Sequence, residues 1–483
     1  LPRPSRTRIP PALLALLAAS AIVFVAWSVV LPPLQDPDEN AHVAYVQRIV
    51  DAGSIPWTPG GKAGQREDPT TYSTELRTAQ LWAGLEPLRG NLAARPLWTS
   101  ADVRAWEDED RALPPGSRTD GGRASTFVNP PAYYLYASLP YAALSSGSIF
   151  DRAFAMRLAN LPFLLLTVAF TWLLAGELFR RRRWMQALAA GVVGLQPLLV
   201  SIDAGVTPDA MLTAAWAGAL YVMALLVRRG PRPRLVAALA ALCAIAVATH
   251  GRGLPLLLPA ALAVLLAVRR ERGLTGGRWR VGTLAGAAVG VVVLAVGALD
   301  YAGRGDVSLG MARRLGSYLW QFYLPKLPFM APSISPGWGF RGVYVDRFFG
   351  TFAQLEVTLP STLMSVLHTA TLAGIALLVV ALVVRRRSLR ARWELVAVCA
   401  TAVVAVIGTI HLVAFRTLLG DPTDPVFTGR YLLPLVPLFG AAVAWLVSLL
   451  PRRAAVIAGG VVLSGAVLLA LAALGVLTTR FYG

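Results

Sequence analysis

The sequence is poor in most of what a soluble enzyme uses. Only 15% of its 483 residues are charged, and it has four histidines, two cysteines and two lysines, Lys62 and Lys326. Cys243 and Cys399 both fall inside apolar runs. That predicts buried free thiols, no disulfide and no cysteine-based metal site. There is no G-x-x-x-x-G-K-[ST] and no His-x-x-x-His, so neither ATP hydrolysis nor a zinc site has a signature. Acids are outnumbered, 26 against 45 basic residues, for a formal charge of +19. The arginines stand in short clusters between apolar runs rather than along a stripe, which makes them topology signals and not a nucleic-acid surface.

What is abundant is apolar. Hydrophobic residues make up 56% of the chain and the mean hydropathy is +0.58. Apolar runs fall at about 11–31, 153–179, 184–200, 207–227, 235–249, 254–268, 279–299, 362–384, 393–415, 430–450 and 454–477, lengths that suit bilayer-spanning helices. The expected fold is an all-α integral membrane protein with about 11 transmembrane helices in one unit, 1–483. Arg3, Arg6 and Arg8 ahead of the first run resemble the start of a signal peptide. The run is too long for one and ends in Leu-Pro-Pro-Leu without a small-residue cleavage site, so it reads as a retained first helix.

With those arginines in the cytoplasm, every second connection should be basic. It is: Arg180 to Arg183, Arg228 to Arg234, Arg269 to Arg280, Arg385 to Arg392, then Arg452 and Arg453. The alternate connections carry Asp203 and Asp209, then Asp421 and Asp424. The C-terminus is then expected outside. A span at 131–147 would invert all of this. That segment is short, broken by Pro140 and rich in tyrosine, as an interfacial helix would be. Abundant Ala, Arg, Gly and Leu hint at a GC-rich bacterial genome, hence a multi-pass protein of a bacterial inner membrane.

Two long outside connections remain. The first, 32–152, has helix-like pieces near Asn40–Ala52, Thr74–Gly84 and Ser100–Arg111; the second, 300–361, is rich in aromatics. Neither has the strand pattern or apolar core of a separate domain, and loops this long are usually functional or disordered. Their aromatics argue against disorder. No internal repeat is evident. The short spans 235–249 and 254–268, joined by His250-Gly-Arg252-Gly, form the one hairpin that looks locally special.

Chemistry concentrates where the first span ends. Leu31 to Tyr45 holds Asp36, Asp38, Glu39 and His42. Asp38 as a helix N-cap, worth about 1 kcal/mol, with Glu39 beside the positive helix end, would explain one or two acids but not Asp36 or His42. On a helix Asp38, His42 and Tyr45 share a face. A carboxylate base suits an acceptor hydroxyl that must attack an electrophilic carbon, and Asp38 is the candidate. Asp36 is either a metal contact, as half of a lone D-x-D, or a solvated loop residue.

Asp203 and Asp209 stand in the next outside connection, where Thr207-Pro208-Asp209 also suits a helix start. The functional reading is a second acid that faces Asp38 across a cavity and holds the substrate or a metal ion. His250 and Arg252 end a span on the same side. Arg252 is either a snorkelling interfacial residue or a cation for a lipid phosphate, with Lys326, Arg341 and Arg430 as competitors. Trp338 suits sugar stacking or the interfacial aromatic belt.

At this point the motifs carry a resemblance. Pro37-Asp38-Glu39-Asn40-Ala41-His42 resembles the Pro-Asp-Glu-Pro-Ala-His stretch of a bacterial multi-pass family of unknown function within the GT-C glycosyltransferase superfamily. Asn129-Pro-Pro-Ala-Tyr133-Tyr134 looks like that superfamily's Lys-Pro-Pro-Leu-Tyr-Tyr surface helix, and Ser201 to Asp209 is similar to its second acidic motif. Arg347-Phe-Phe-Gly-Thr-Phe352 and Thr428-Gly-Arg-Tyr-Leu-Leu-Pro434 resemble two further patches of the same family.

The resemblance implies a GT-C-like fold and an inverting transferase that uses a polyprenyl-phosphate sugar, with a cell-envelope glycan or lipid as acceptor, outside the cytoplasm. Asp38 falls on the presumed base. Asp209 falls on the second acid. Glu39, His42, Asp203, His250, Arg252, Arg341, Trp338, Arg430 and Tyr133 are the substrate-binding candidates that go with it. Asn129 stands where related transferases place a phosphate-binding Lys, so the phosphate falls to another cation or the donor differs. The superfamily holds both metal-dependent and metal-independent members, which leaves a divalent cation (Mg or Mn) at Asp36 open. Two other classes compete: a transporter or flippase of a lipid-linked glycan, which calls for ionisable groups near mid-bilayer and paired repeats, and a non-catalytic scaffold for wall assembly.

Overall fold

The structure, a computed structural model, describes residues 9–58, 67–68, 72–84, 88, 91, 93–94, 99–113, 122–123, 125–273, 309–334, 337–420 and 428–483. The expected span 279–299, the basic residues Arg3, Arg6 and Arg8, and the acids Asp421 and Asp424 lie outside the described residues.

The architecture is almost wholly helical, as the apolar runs demand. Among the described residues, eight helices are long and apolar enough to cross a membrane: Pro11–Val30, Ile149–Leu178, Asp209–Arg229, Gly251–Glu271, Ser361–Val384, Trp393–Phe415, Gly429–Val447 and Arg452–Tyr482. A ninth is the pair Arg183–Gly194 and Pro197–Asp203, bent by 57°, and Pro233–Thr249 is a shorter apolar helix. Ten of the expected runs thus have helical counterparts, while the count of eleven is not established. Asp209–Arg229 is the centre, with 89% of its apolar window buried, whereas Ser361–Val384, at 6%, lies at the periphery.

The 57° bend has a local cause. Pro197 cannot continue the preceding helical ladder. Gln196 takes over, accepting a hydrogen bond from the Leu199 amide and donating to the Phe348 carbonyl at 2.6 Å. The bend delivers Asp203 and the loop after it beneath the end of the first span.

The first long connection folds as a cap of short helices, Glu39–Ala52, Thr74–Trp82, Ser100–Ala112 and Ala132–Ala143. The last is 12 residues long with Pro140 inside, too short to cross a bilayer. Contrary to the sequence expectation, this connection owns an apolar core, built on Tyr45, Leu76, Trp106, Phe127, Tyr133, Tyr134 and Tyr141. Aromatics spread singly along the chain carry no periodic signal, so only their convergence reveals it. A two-residue antiparallel pairing, Glu67 with Arg123, ties the ends of its middle segment.

The second long connection is held by the span beside it. Its helix Leu309–Tyr323 presents two hydroxyls to His411 of Trp393–Phe415: Tyr318 at 2.8 Å from Nδ1 and Tyr323 at 2.7 Å from Nε2. Further on, a π-helical turn, Arg341–Asp346, precedes a small hairpin in which Thr351 pairs with Thr358. Gln354 of that hairpin donates to the carbonyls of Leu34 (3.2 Å) and Asp36 (2.9 Å). Both long connections therefore close on the exit of the first span.

Candidate active site

The exit turn is fixed from behind by a buried ion pair. Arg157 grips Glu39 through two parallel bonds, 2.7 Å and 2.6 Å. It also donates to the carbonyls of Ser28, Leu31 and Pro32 at 2.7–3.2 Å, groups that the end of a helix leaves without intrahelical partners. Glu39 accepts two backbone amides as well, from Val206 (3.1 Å) and Asp36 (3.4 Å). Its side chain is 0% exposed. Glu39 was expected to touch substrate; its oxygens are instead taken, and it joins the first acidic turn to the second.

Asp38 behaves differently. Its backbone is left-handed (φ 62°, ψ 10°) and its side chain makes no capping bond to the helix it precedes. Aspartate tolerates that region better than most residues, but at a cost. The N-cap explanation therefore does not describe this carboxylate. It points away from the helix and accepts from Arg430 Nη2 at 2.7 Å, with 49% of the side chain exposed.

Arg430 also reaches the second acidic motif, with Nε 4.0 Å from Asp209 Oδ2. The other oxygen of Asp209 pairs with Arg252. Both guanidinium groups lie over the ring of Tyr431, at 4.5 Å for Arg252 and 5.7 Å for Arg430. The result is one alternating chain: Asp38, Arg430, Asp209, Arg252.

The two arginines are presented by matching turns. In each, an extended residue precedes Gly-Arg, its side chain accepts the arginine amide, and a 3-10 segment with an internal proline follows. His250 Nδ1 accepts from Arg252 N at 3.0 Å ahead of Gly251–Leu256. Thr428 Oγ1 accepts from Arg430 N at 3.4 Å ahead of Gly429–Leu435. His250 is thus a cap, neutral because burial and then the Arg252 charge hold its imidazole well below the ordinary value. The hairpin at 250 is not unique, as the sequence suggested; it has a structural twin at 428. At Gly429 a Cβ would lie 2.5 Å from the Arg347 carbonyl carbon, so only glycine lets this turn approach.

Asp36 is not a solvated loop residue. It is 0% exposed and neither carboxyl oxygen has a hydrogen-bond partner among the described residues. Burial, then the Glu39 charge, raise its pKa well above the ordinary carboxylate value, against Arg157 and Arg430. Asp203 is likewise fully buried with both oxygens unpartnered. No group of three or more His, Cys, Asp or Glu with metal-holding geometry occurs among the described residues. Guanidinium groups stand against Asp38 and Asp209.

His42 packs into the aromatic cap. Its Nδ1 lies 2.9 Å from the Tyr134 hydroxyl, which also accepts from Asn129 Nδ2 at 3.0 Å. Tyr45 stacks on Tyr134 at 3.7 Å and donates to the Asn129 carbonyl. Burial depresses the His42 pKa to about 4, against the pull of Asp38, so the ring is neutral near pH 7. Asn129, the residue in place of a lysine, orients Tyr134. Tyr133 is buried and accepts from Asn160, which also donates to Gly205 O at 2.7 Å; it positions the second acidic loop.

Two expected residues stay apart. Arg341 is 53% exposed and its acidic neighbour is Asp346 at 3.9 Å. Trp338 is covered by the guanidinium of Arg347 at 3.7 Å. Arg347 itself was quoted within a motif but not assigned a role. It is a half-buried cation whose Nη1 has no partner, and its backbone abuts Gly429. Its motif position was the available signal. Lys326 donates to the Met330 carbonyl on the surface.

A family described as a predicted membrane protein family, DUF2142, matches residues 21–439. No curated protein matches the chain. Solved structures of similar shape include ArnT from Cupriavidus metallidurans bound to undecaprenyl phosphate, at 17% identity, 91% of this chain, 61% of that chain and a TM-score of 0.41. The apo form of ArnT compares at 18% identity, 91% and 60% coverage, and 0.42. The chain thus spans about three fifths of the length of these structures.

Proposed function

The chain belongs to the DUF2142 family of predicted membrane proteins, and we propose that it is an inverting glycosyltransferase acting on a polyprenyl-phosphate sugar at the extracytoplasmic face of a bacterial inner membrane. The acceptor is a hydroxyl of a cell-envelope glycan or lipid. Arabinofuranose, mannose and galactose donors all suit the reading.

One observation carries it: a half-exposed carboxylate, Asp38, shares an arginine with a second acid, Asp209, that is backed by a second arginine. That is a base beside a two-cation seat for an anion. In the proposed reaction the acceptor O–H gives its proton to Asp38. The acceptor oxygen bonds to the anomeric carbon as the bond from that carbon to the phosphate oxygen breaks, with inversion. The phosphate leaves with the electron pair, and Arg430 and Arg252 neutralise it. A phosphate leaving group needs no strong acid, so one carboxylate suffices. The positioned base supplies roughly 10²–10⁴-fold, and orientation with electrostatics the rest.

The Asp38–Arg430 pair also sets an order. While the pair is closed, the carboxylate is held by a cation and is a poor base. An incoming phosphate competes for Arg430 and releases Asp38 only once the donor is seated.

Flipping of a lipid-linked glycan is the second reading, because paired interrupted spans are how many transporters build a binding site. Against it, these arginines meet carboxylates at span ends rather than at mid-bilayer. The test is purified full-length protein with a panel of polyprenyl-phosphate sugars and a hydroxyl acceptor. Transfer in the wild type, and its loss by at least about 10²-fold in Asp38→Asn with the protein still folded, supports the transferase. Wild-type turnover in Asp38→Asn would end the assignment.

A further inference from the structure

At the end of the bundle opposite Asp38, a cleft with about 170 Å³ of room is lined by Arg180, Arg228, Arg270 and Arg392 together with Glu177 and Glu394. The chain makes the placement plain. Leu161–Leu178 runs from the site to Leu178, Asp209–Arg229 from Asp209 to Arg229, and Gly251–Glu271 from the Arg252 turn to Glu271. The four arginines come from four separate connections.

Topology alone puts arginines on this face, but it does not gather them in one concavity. Arg385 to Arg387, on the same connection as Arg392, and Arg452 and Arg453, on another connection of the same parity, do not line the cleft. The protein satisfies these guanidinium groups only in part. Glu177 is shared by Arg228 (2.9 Å) and Arg229 (2.6 Å). Arg270 donates to the Val227 carbonyl at 3.0 Å and Arg392 to the Leu178 carbonyl at 3.2 Å. Arg180 has no side-chain hydrogen bond among the described residues. Burial, and then the charges of Arg180, Arg228 and Arg182, pull the Arg392 pKa below its ordinary value. The turn that brings Arg180 here also holds two successive non-glycine residues in the left-handed region, Arg180 (φ 53°) and Arg181 (φ 58°), which is costly backbone.

Four guanidinium groups against two carboxylates leave an excess of positive charge, which calls for an anion. The volume is a few times the roughly 30 Å³ share of a water and below the usual 300–1,000 Å³ of a small-molecule pocket, which suits a single phosphate rather than a whole metabolite. Leu178 and Leu395 form an apolar wall at the level where spans end, which suits a phosphate that arrives on acyl chains. We propose that this cleft seats the headgroup phosphate of an anionic phospholipid, independently of the chemistry at Asp38. Basic pockets between spans are known to take such headgroups.

The test uses the full chain in neutral detergent, titrated with short-chain phosphatidylglycerol, phosphatidylcholine or inorganic pyrophosphate and read by native mass spectrometry and thermal shift. Phosphatidylglycerol should bind well ahead of phosphatidylcholine. Arg180→Gln with Arg392→Gln should weaken it about 10-fold, while the paired Lys substitutions at the same positions retain most of it. Arg452→Gln with Arg453→Gln, outside the cleft, should leave it unchanged. The proposal fails if phosphatidylcholine binds equally, if the cleft variant binds like wild type, or if the control variant loses as much. Binding of pyrophosphate without phosphatidylglycerol overturns it too, because the source would then be a free anion.

Discussion

Arg430 donates to Asp38 at 2.7 Å across 392 residues of sequence. With Nε 4.0 Å from Asp209, the same guanidinium bridges one carboxylate of each acidic motif. It can serve the reaction in two ways, by seating the phosphate or by merely restraining the base, and substitution separates them. If it seats the leaving group, Arg430→Gln should lower single-turnover transfer by about 10²–10³-fold, the scale of losing one electrostatic stabiliser. Arg430→Lys, which keeps charge but not the planar fork, should fall in between. Unchanged or faster transfer in Arg430→Gln would leave Arg430 as a restraint on Asp38 and nothing more.

Much of this was legible in the chain, for physical reasons. Spans announce themselves because backbone in lipid must be helical and side chains apolar. Three cap helices, Glu39–Ala52, Thr74–Trp82 and Ser100–Ala112, were visible as helix-like pieces between turn-rich stretches. Asp38, Asp209, Arg252 and Arg430 stood out as charges where spans end. The task of Glu39 was not legible, because its partner Arg157 lies 118 residues away at the head of an apolar run. The twin turns were hidden because they share little beyond Gly-Arg and a later proline. Arg347 was one arginine among many until its contact with Trp338 set it apart.

His42 gives a pH dependence of definite sign. Its folded pKa, depressed by burial to about 4, lies below the unfolded value of about 6.5. Between those values the unfolded chain binds a proton that the folded chain refuses. Stability from this group is therefore complete above about pH 6.5 and is lost as pH falls toward 4, by at most about 1.4 kcal/mol per pH unit. Asp38, Asp209 and Glu39 favour the proton and Arg430 opposes it, so the window belongs to the whole cluster. His42→Phe should be less stable than wild type at pH 7, and the gap should narrow as pH drops through this window. Melting temperature at half-unit pH steps checks it; a constant gap would mean that His42 is not held neutral.

The contact between Asp36 and Gly205 is where the two acidic motifs have no room to spare. A Cβ on Gly205 would lie 2.2 Å from Asp36 Oδ2. The carboxyl cannot swing into solvent, because Asp36 is 0% exposed, and Gly205 cannot retreat, because its carbonyl is held by Asn160 at 2.7 Å. Gly205→Ala should therefore cost about 1–3 kcal/mol, the range for overpacking. Asp36→Ala should recover much of that loss in the double variant, since it vacates the atoms the new methyl strikes. Asp36→Asn probes the same residue without changing its shape. The pKa of Asp36 is raised in the folded protein, so its contribution to stability is complete below the unfolded value of about 3.9 and is lost as pH rises through the folded value. The amide removes that loss. Asp36→Asn should match wild type near pH 4 and melt above it at pH 7–8, and a variant less stable than wild type at pH 8 would show that Asp36 is needed as an anion.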